Sequence, residues 1–297
     1  MHIPARANAA VPARELRLTE LLYDHVLKSL RDLPALSPIL VELVQSFEDP
    51  DVNIGLIAAQ VSRDPALSAK TLRLANSSFY GLGSKVRTIQ QAIAVLGFDS
   101  VRSMVASAAI INSFDSSEHT TFNFTKFWQH SIATALCAKS LANFSNLNSE
   151  LAFMCGLLHD IGTLLLVTKF PEQHAEATTY RNTADCDQID AEQHVLMTDH
   201  AAIGSTLAAY WKFPVVIQRA IAGHHAPTSE DVGDMACLIH AANVIVHALD
   251  ICEQEGDAVS PVNEVAWDSL SLDSSRLCHV FRATEEGFED ACRILSI

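Results

Sequence analysis

The sequence predicts an all-α protein in two parts, an N-terminal helical bundle followed by a second, histidine-rich helical unit. Apolar residues recur at helix spacing along most of the chain, strand-like alternation is scarce, and Asp-Pro, Asn and Gly stops punctuate the stripes. With 297 residues, 49% of them hydrophobic and 19% charged, and a mean hydropathy of +0.17, the chain can bury a sizeable core.

Residues 1–14 read as a disordered leader, because MHIPARANAAVPAREL lacks the continuous apolar segment of a signal peptide. Glu15 to Leu30 predicts a first helix with Leu18, Leu21, Leu22, Val26 and Leu30 on one face. Ser37 can cap a second helix, in which Pro38 occupies the first turn where its missing N–H costs nothing, and Val41, Leu43, Val44 and Phe47 supply the buried face. Asn53 to Val61 is a short third helix. Asp64-Pro65 starts a fourth, running through Leu67, Leu72, Leu74 and Ala75 until Asn76-Ser77-Ser78 and Gly81-Leu82-Gly83 break it. Ile89 to Leu96 follows, stopped by Gly97, and Asp99-Ser100 opens the apolar helix Val101 to Ile111. The polar stretch Asn112 to Thr121 then divides an N-terminal part, residues 15–115, from a second part, residues 116–297. That second part reads as helices over Trp128 to Ala142, Ser149 to Val167, Ala191 to Tyr210, Pro214 to His224, Met235 to Cys252 and a closing segment near Ser274 to Leu295.

A net charge of -15, from 35 acidic against 20 basic residues, repels a phosphate backbone, and no local basic concentration offsets it. Nucleic acid is therefore not an expected partner. The 7 cysteines contain no CxxC and sit mostly in apolar runs, the usage of a reducing cytoplasm. The charge-free apolar run Met235 to Leu249 is too short to span a bilayer and carries His240, Asn243 and His247, so no membrane insertion is expected.

Among the 13 histidines, position decides more than number. His130 falls on a helix between Phe127 and Ala133, and His159-Asp160 follow the apolar Leu157-Leu158. His200 shares a stripe with Ile203, Gly204 and Leu207, and His224-His225 end a helix just before Pro227. Imidazoles and a carboxylate projected inward from several helices are how helical folds build a metal cage. A single inward histidine is more often a hydrogen-bonded core residue, and His2, His25, His119 and His174 read as surface residues. For the joint set His130, His159, Asp160, His200 and His224 two readings stand: a cage for a divalent metal, or a buried polar network.

These residues also carry a family pattern. LPALSPILVELVQSFEDP, IAAQVSRDPALSAKTLRLANSSFYG and VRTIQQAIAVLGFDSVRSMV in the first part resemble the HDOD (HD-related output domain) proteins of bacterial signalling. So do FWQHSIATALCAKSLA, FMCGLLHDIGTLLL and DHAAIGSTLAAYWKFPVVIQRAIAGHH in the second. The resemblance implies a second part like the HD phosphohydrolase superfamily, whose active members, the HD-GYP phosphodiesterases of cyclic di-GMP among them, hold metal ions that activate water. Carried over, His130 matches the first ligand, His159-Asp160 the signature pair, His200 the histidine opening a later helix, and His224 or His225 the double-histidine segment. Asn243 matches the position of a late ligating carboxylate. The implied cofactor is a divalent Fe, Mn, Ni or Zn.

The departures from the enzymes shape the functional expectation. Thr163 follows Gly162 where the HD-GYP enzymes have a lysine, the double histidine runs into Ala226-Pro227 rather than an acidic residue and Gly-Tyr-Pro, and Asn243 brings a neutral carbonyl oxygen instead of a carboxylate. The expected function is therefore a non-catalytic signal-transduction output module that acts through contacts with signalling protein partners, its oligomeric state left open. The alternative is a metal-dependent phosphohydrolase. Lys70 and Arg73, three apart on one helix and followed by Phe79 and Tyr80 at a break, form a candidate partner surface or a simple solvated edge.

Overall fold

Capping chemistry sets where the helices begin. In the computed structural model, which describes residues 36–47, 49, 51–76, 85–113, 122–229, 231–252 and 259–295, every regular element among the described residues is a helix. The N-terminal part holds α1 (Pro38–Gln45), α2 (Ile54–Arg63), α3 (Pro65–Ala75), α4 (Ile89–Leu96) and α5 (Phe98–Ser113). Next come α6 (Phe124–Ala142), α7 (Ser149–Leu158), α8 (Ile161–Lys169), α9 (Pro171–Ala184), α10 (Gln188–Leu196), α11 (His200–Tyr210), α12 (Val215–Gly223), α13 (Asp234–Leu249), α14 (Glu264–Ser269) and α15 (Ser274–Leu295).

Ser37 caps α1 by accepting from the Leu40 N–H at 3.3 Å, and Asn53 caps α2 through the Leu56 N–H. Asp64 breaks the chain between α2 and α3 in an extended conformation while its carboxylate accepts from the Leu67 N–H, so Arg63 and Arg73 lie on separate helices. Gly97, at φ 84°, ends α4 in a conformation other residues resist. Asn76 does more than stop α3. Its amide donates to the Leu72 and Val86 carbonyls and accepts from the Val86 N–H, clamping the end of α3 to Val86. The predicted leader and first helix, Phe79 and Tyr80, and the proposed boundary near residue 115 lie outside the described residues. The candidate surface thus reduces to half-buried Lys70 and exposed Arg73; burial, then the neighbouring Arg73, lowers the Lys70 pKa.

Helix α6 is the central rod, buried along most of its length, with α7, α13 and α15 packed around it. Two side chains tie the N-terminal helices to this core and to one another. Arg102 on α5, 4% exposed, donates to the Ser46 carbonyl at 2.5 Å and to Asp99 at 2.8 Å while its guanidinium lies 3.7 Å over the Phe47 ring. Glu150 in the first turn of α7 accepts from Ser100 on α5 at 2.9 Å and from Lys139 on α6 at 2.7 Å.

Two helices predicted as continuous are broken. Ser149 to Val167 divides at His159-Asp160 into α7 and α8, and Ala191 to Tyr210 divides at residues 197–199 into α10 and α11. Met197 adopts a left-handed conformation (φ 55°) and Asp199 caps α11 through the Ala202 N–H. The apolar periodicity runs straight through both breaks, so hydropathy alone does not reveal them. By length and composition Ser149–Lys169 could cross a membrane, yet it is interrupted at Asp160 and 72% of its apolar window is buried inside the protein. Two helices escaped the sequence reading: α9, a polar rod with a single buried residue, and the short α14.

The break after α7 lets α8 cross α11 at Gly162 and Gly204. A Cβ on Gly162 would run into the His200 carbonyl oxygen and lie 2.6 Å from the Gly204 nitrogen. Gly162→Ala is therefore expected to cost about 3 kcal/mol or more in urea denaturation, since neither backbone can give way. Gly55→Ala, where only the Asn53 side chain comes as near as 3.5 Å, should be close to neutral.

Candidate metal centre

Five helix ends or faces deliver side chains to one point. His130 comes from the first half of α6. His159 and Asp160 occupy the break between α7 and α8, which lets neighbours in sequence face the same centre rather than diverge as they would on a continuous helix. His200 is the first residue of α11, and His224-His225 follow the end of α12. His130, His159, His200 and His224 are all buried, whereas the Asp160 side chain keeps 21% exposure.

The Asp160 carboxylate is the hub. Its Oδ2 lies 3.2 Å from His159 Nε2 and 3.9 Å from His130 Nε2, and its Oδ1 lies 3.2 Å from His224 Nε2 and 3.4 Å from His200 Nε2. Two imidazole pairs face each other nitrogen to nitrogen, His130 with His159 at 3.3 Å and His200 with His225 at 2.9 Å. The donor atoms form two overlapping groups with Asp160 in both: His130, His159 and Asp160, and Asp160, His200, His224 and His225.

The far nitrogens settle the tautomers. His159 Nδ1 donates to the Gly156 carbonyl at 2.8 Å and His224 Nδ1 to the Ile221 carbonyl at 2.7 Å, because a carbonyl oxygen can only accept. His200 Nδ1 donates to Glu192 Oε2 at 2.7 Å. In the neutral imidazoles Nε2 is then a lone pair, and three such lone pairs aim at carboxylate oxygens that also accept. Only a cation resolves that arrangement. Protons can serve: burial alone would favour neutral Asp160, yet the neighbouring His159 imidazole, with His200 and His224 close by, holds its carboxyl well below the usual range. Burial likewise opposes charge on His200, but the Glu192 carboxylate and Asp160 outweigh it and push that imidazole well above its ordinary value. A divalent metal fits the same donors better, since His224 Nε2 is buried without a well-formed hydrogen bond despite its 3.2 Å approach to Asp160.

Further groups brace the centre. Glu192, fully buried on α10, was not singled out in the sequence. His240 on α13 donates through Nδ1 to the His224 carbonyl at 2.8 Å and accepts the Asn263 N–H at Nε2, which fixes it as a neutral spacer; burial lowers its pKa. One turn further along α13, Asn243 is buried with an unpartnered Oδ1, and at the next turn the His247 ring lies 4.5 Å from the His130 ring, tilted by 33°. Asn243 therefore sits on α13 between His240 and His247, which reach His224 and His130 respectively. His174, read as a surface histidine, is half-buried with its ring edge-on to Phe122 at 5.9 Å, and burial lowers its pKa against the pull of Glu192.

Residues 33–227 match the HDOD domain family. The chain belongs to the HDOD family. Solved structures share the architecture. An HDOD domain protein with unknown function from Geobacter sulfurreducens superposes with a TM-score of 0.71 at 24% identity, covering 95% of this chain and 93% of that one. A Shewanella amazonensis protein provisionally named a phosphohydrolase gives 0.73 at 27%, covering 91% and 97%. A Treponema pallidum (strain Nichols) protein, named only as uncharacterized, is 26% identical over 261 residues, 82% of this HDOD chain. This chain spans 47% of that relative's length.

The buried orphan oxygen of Asn243 generates a prediction. Asn243→Asp is expected to tighten divalent-metal binding about tenfold in chelator competition, through the added charge. The same variant, stripped of metal, should lose roughly 1–3 kcal/mol of stability from the uncompensated buried carboxylate.

Proposed function

We propose that this protein is a signal-transduction output module in which Asp160 and its surrounding imidazoles hold a divalent cation as an internal brace, and which acts on signalling partners through protein contacts. The observation that carries this reading is the set of Nε2 lone pairs aimed at one carboxylate, a geometry that asks for a cation. Residues suited to hydrolysis are missing beside it: Thr163 offers no charge to a phosphate, Asn243 brings no carboxylate, and the chain after His225 continues as Ala226-Pro227. The net charge of -15 favours protein partners over nucleic acid.

Bound at this site, a metal ion would supply Lewis acidity and lower the pKa of a coordinated water. A second reading, a metal-dependent phosphohydrolase, is favoured by the 21% exposure of Asp160, because catalytic metal sites keep an open position while structural ones are closed. The provisional name of the Shewanella relative points the same way.

Elemental analysis of the purified chain, with a screen of cyclic and linear dinucleotides and phosphomonoesters, separates the two. The expected result is retained Fe, Mn, Ni or Zn with no turnover above that of His159→Ala. Restoring metal at a hundredfold over Kd should raise stability by about 2.7 kcal/mol. Turnover abolished in His159→Ala would establish the second reading; no metal uptake at all would remove both.

A further inference from the structure

The two donor groups that share Asp160 are not equivalent. One offers His130 and His159, the other His200, His224 and His225, so they differ first in the number of imidazoles. They differ also in what stands behind them. His159 and His224 each lean on a neutral carbonyl, whereas His200 leans on a carboxylate that has no exposure.

Both oxygens of Glu192 are committed. Oε2 accepts from His200 Nδ1 at 2.7 Å and from the His200 backbone N–H at 2.8 Å, a donor left without a helical partner because His200 opens α11. Oε1 accepts from Gln188 Nε2 at 2.9 Å, one turn back on α10. The carboxylate thus grips ring and main chain of the same residue and leaves the imidazole a single orientation, with Nε2 toward Asp160. Its negative charge also makes His200 a stronger donor than an imidazole backed by a carbonyl.

We propose that Glu192 is a positioning residue that makes the two halves unequal, so that the first divalent cation enters the Asp160, His200, His224 and His225 half and any second one enters the His130 and His159 half more weakly. This rests on the metal-binding reading above.

The test is a titration of the metal-stripped full chain with cobalt(II), following visible d–d absorption against a competing chelator. Glu192→Gln keeps the volume and removes the charge. It is expected to weaken the tightest step about 10- to 100-fold, shift the absorption of that step, and leave any weaker step within twofold. His130→Ala should abolish the weaker step and spare the tight one. Should Glu192→Gln not fold, Gln188→Met, which releases Oε1 on a half-buried surface, is expected to weaken the tight step in the same sense.

Unchanged cobalt affinity and spectrum in Glu192→Gln, or in Gln188→Met where that variant stands in, would overturn the proposal while leaving the metal reading intact. Loss of the tight step in His130→Ala would overturn it too. Failure of the unmodified chain to take up cobalt would instead remove the metal reading itself, and the ordering with it.

Discussion

Three imidazole lone pairs pointed at one carboxylate form a contact that repels itself unless a cation sits among them. The backbone commits to it before any cation arrives, because the carbonyls of Gly156 and Ile221 and the carboxylate of Glu192 fix the outer nitrogens as donors. Each polar atom left unmatched in this interior costs about 1–3 kcal/mol. The Glu192 carboxylate and Asp160 push the His200 imidazole up, and the imidazoles around Asp160 push its carboxyl down, so the site favours positive charge beside that carboxylate.

Local structure follows from the same need. A continuous helix through residues 149–169 would send His159 and Asp160 about 100° apart; the break between α7 and α8 turns both inward. A continuous helix through residues 188–210 would occupy the His200 N–H in its own ladder, and the break leaves that donor for Glu192. Gly162 and Gly204 let the backbones of α8 and α11 approach closely enough for Asp160 and His200 to meet. Helix α7 also reaches from Glu150, which bonds Ser100 and Lys139 at the junction with the N-terminal helices, to His159 at the centre. One rod therefore joins that junction to the histidine cluster.

Much of this was legible in the sequence, for identifiable reasons. The all-α architecture follows from apolar periodicity and from caps such as Ser37 and Asn53, and His130, His159, Asp160, His200 and His224 stand out as polar residues in apolar stripes. His225 converges with them. The helix breaks were hidden because apolar spacing continues across them. Glu192 was hidden because QIDAEQH reads as a solvated acidic face; the one available signal was Ala191 beside it and Leu196 a turn later on a buried side. Asn76 was read as a stop, since a clamp to Val86 depends on where the chain returns. Phe79 and Tyr80 fall outside the described residues.

The balance of charge limits what the centre can hold. Asp160 lies at the meeting point and Glu192 directly behind His200, and both stay ionised: burial works against each, and the neighbouring imidazoles overcome it. Two negative charges match one dication. A second dication in so buried a place would stand largely uncompensated, a costly state unless an anion accompanies it. Asn243, which the family resemblance aligns with a ligating carboxylate, is an amide and adds no charge. If a cation occupies this centre, the charge present therefore suits one dication better than two, and the termini of α7, α8, α11 and α12 would meet around it.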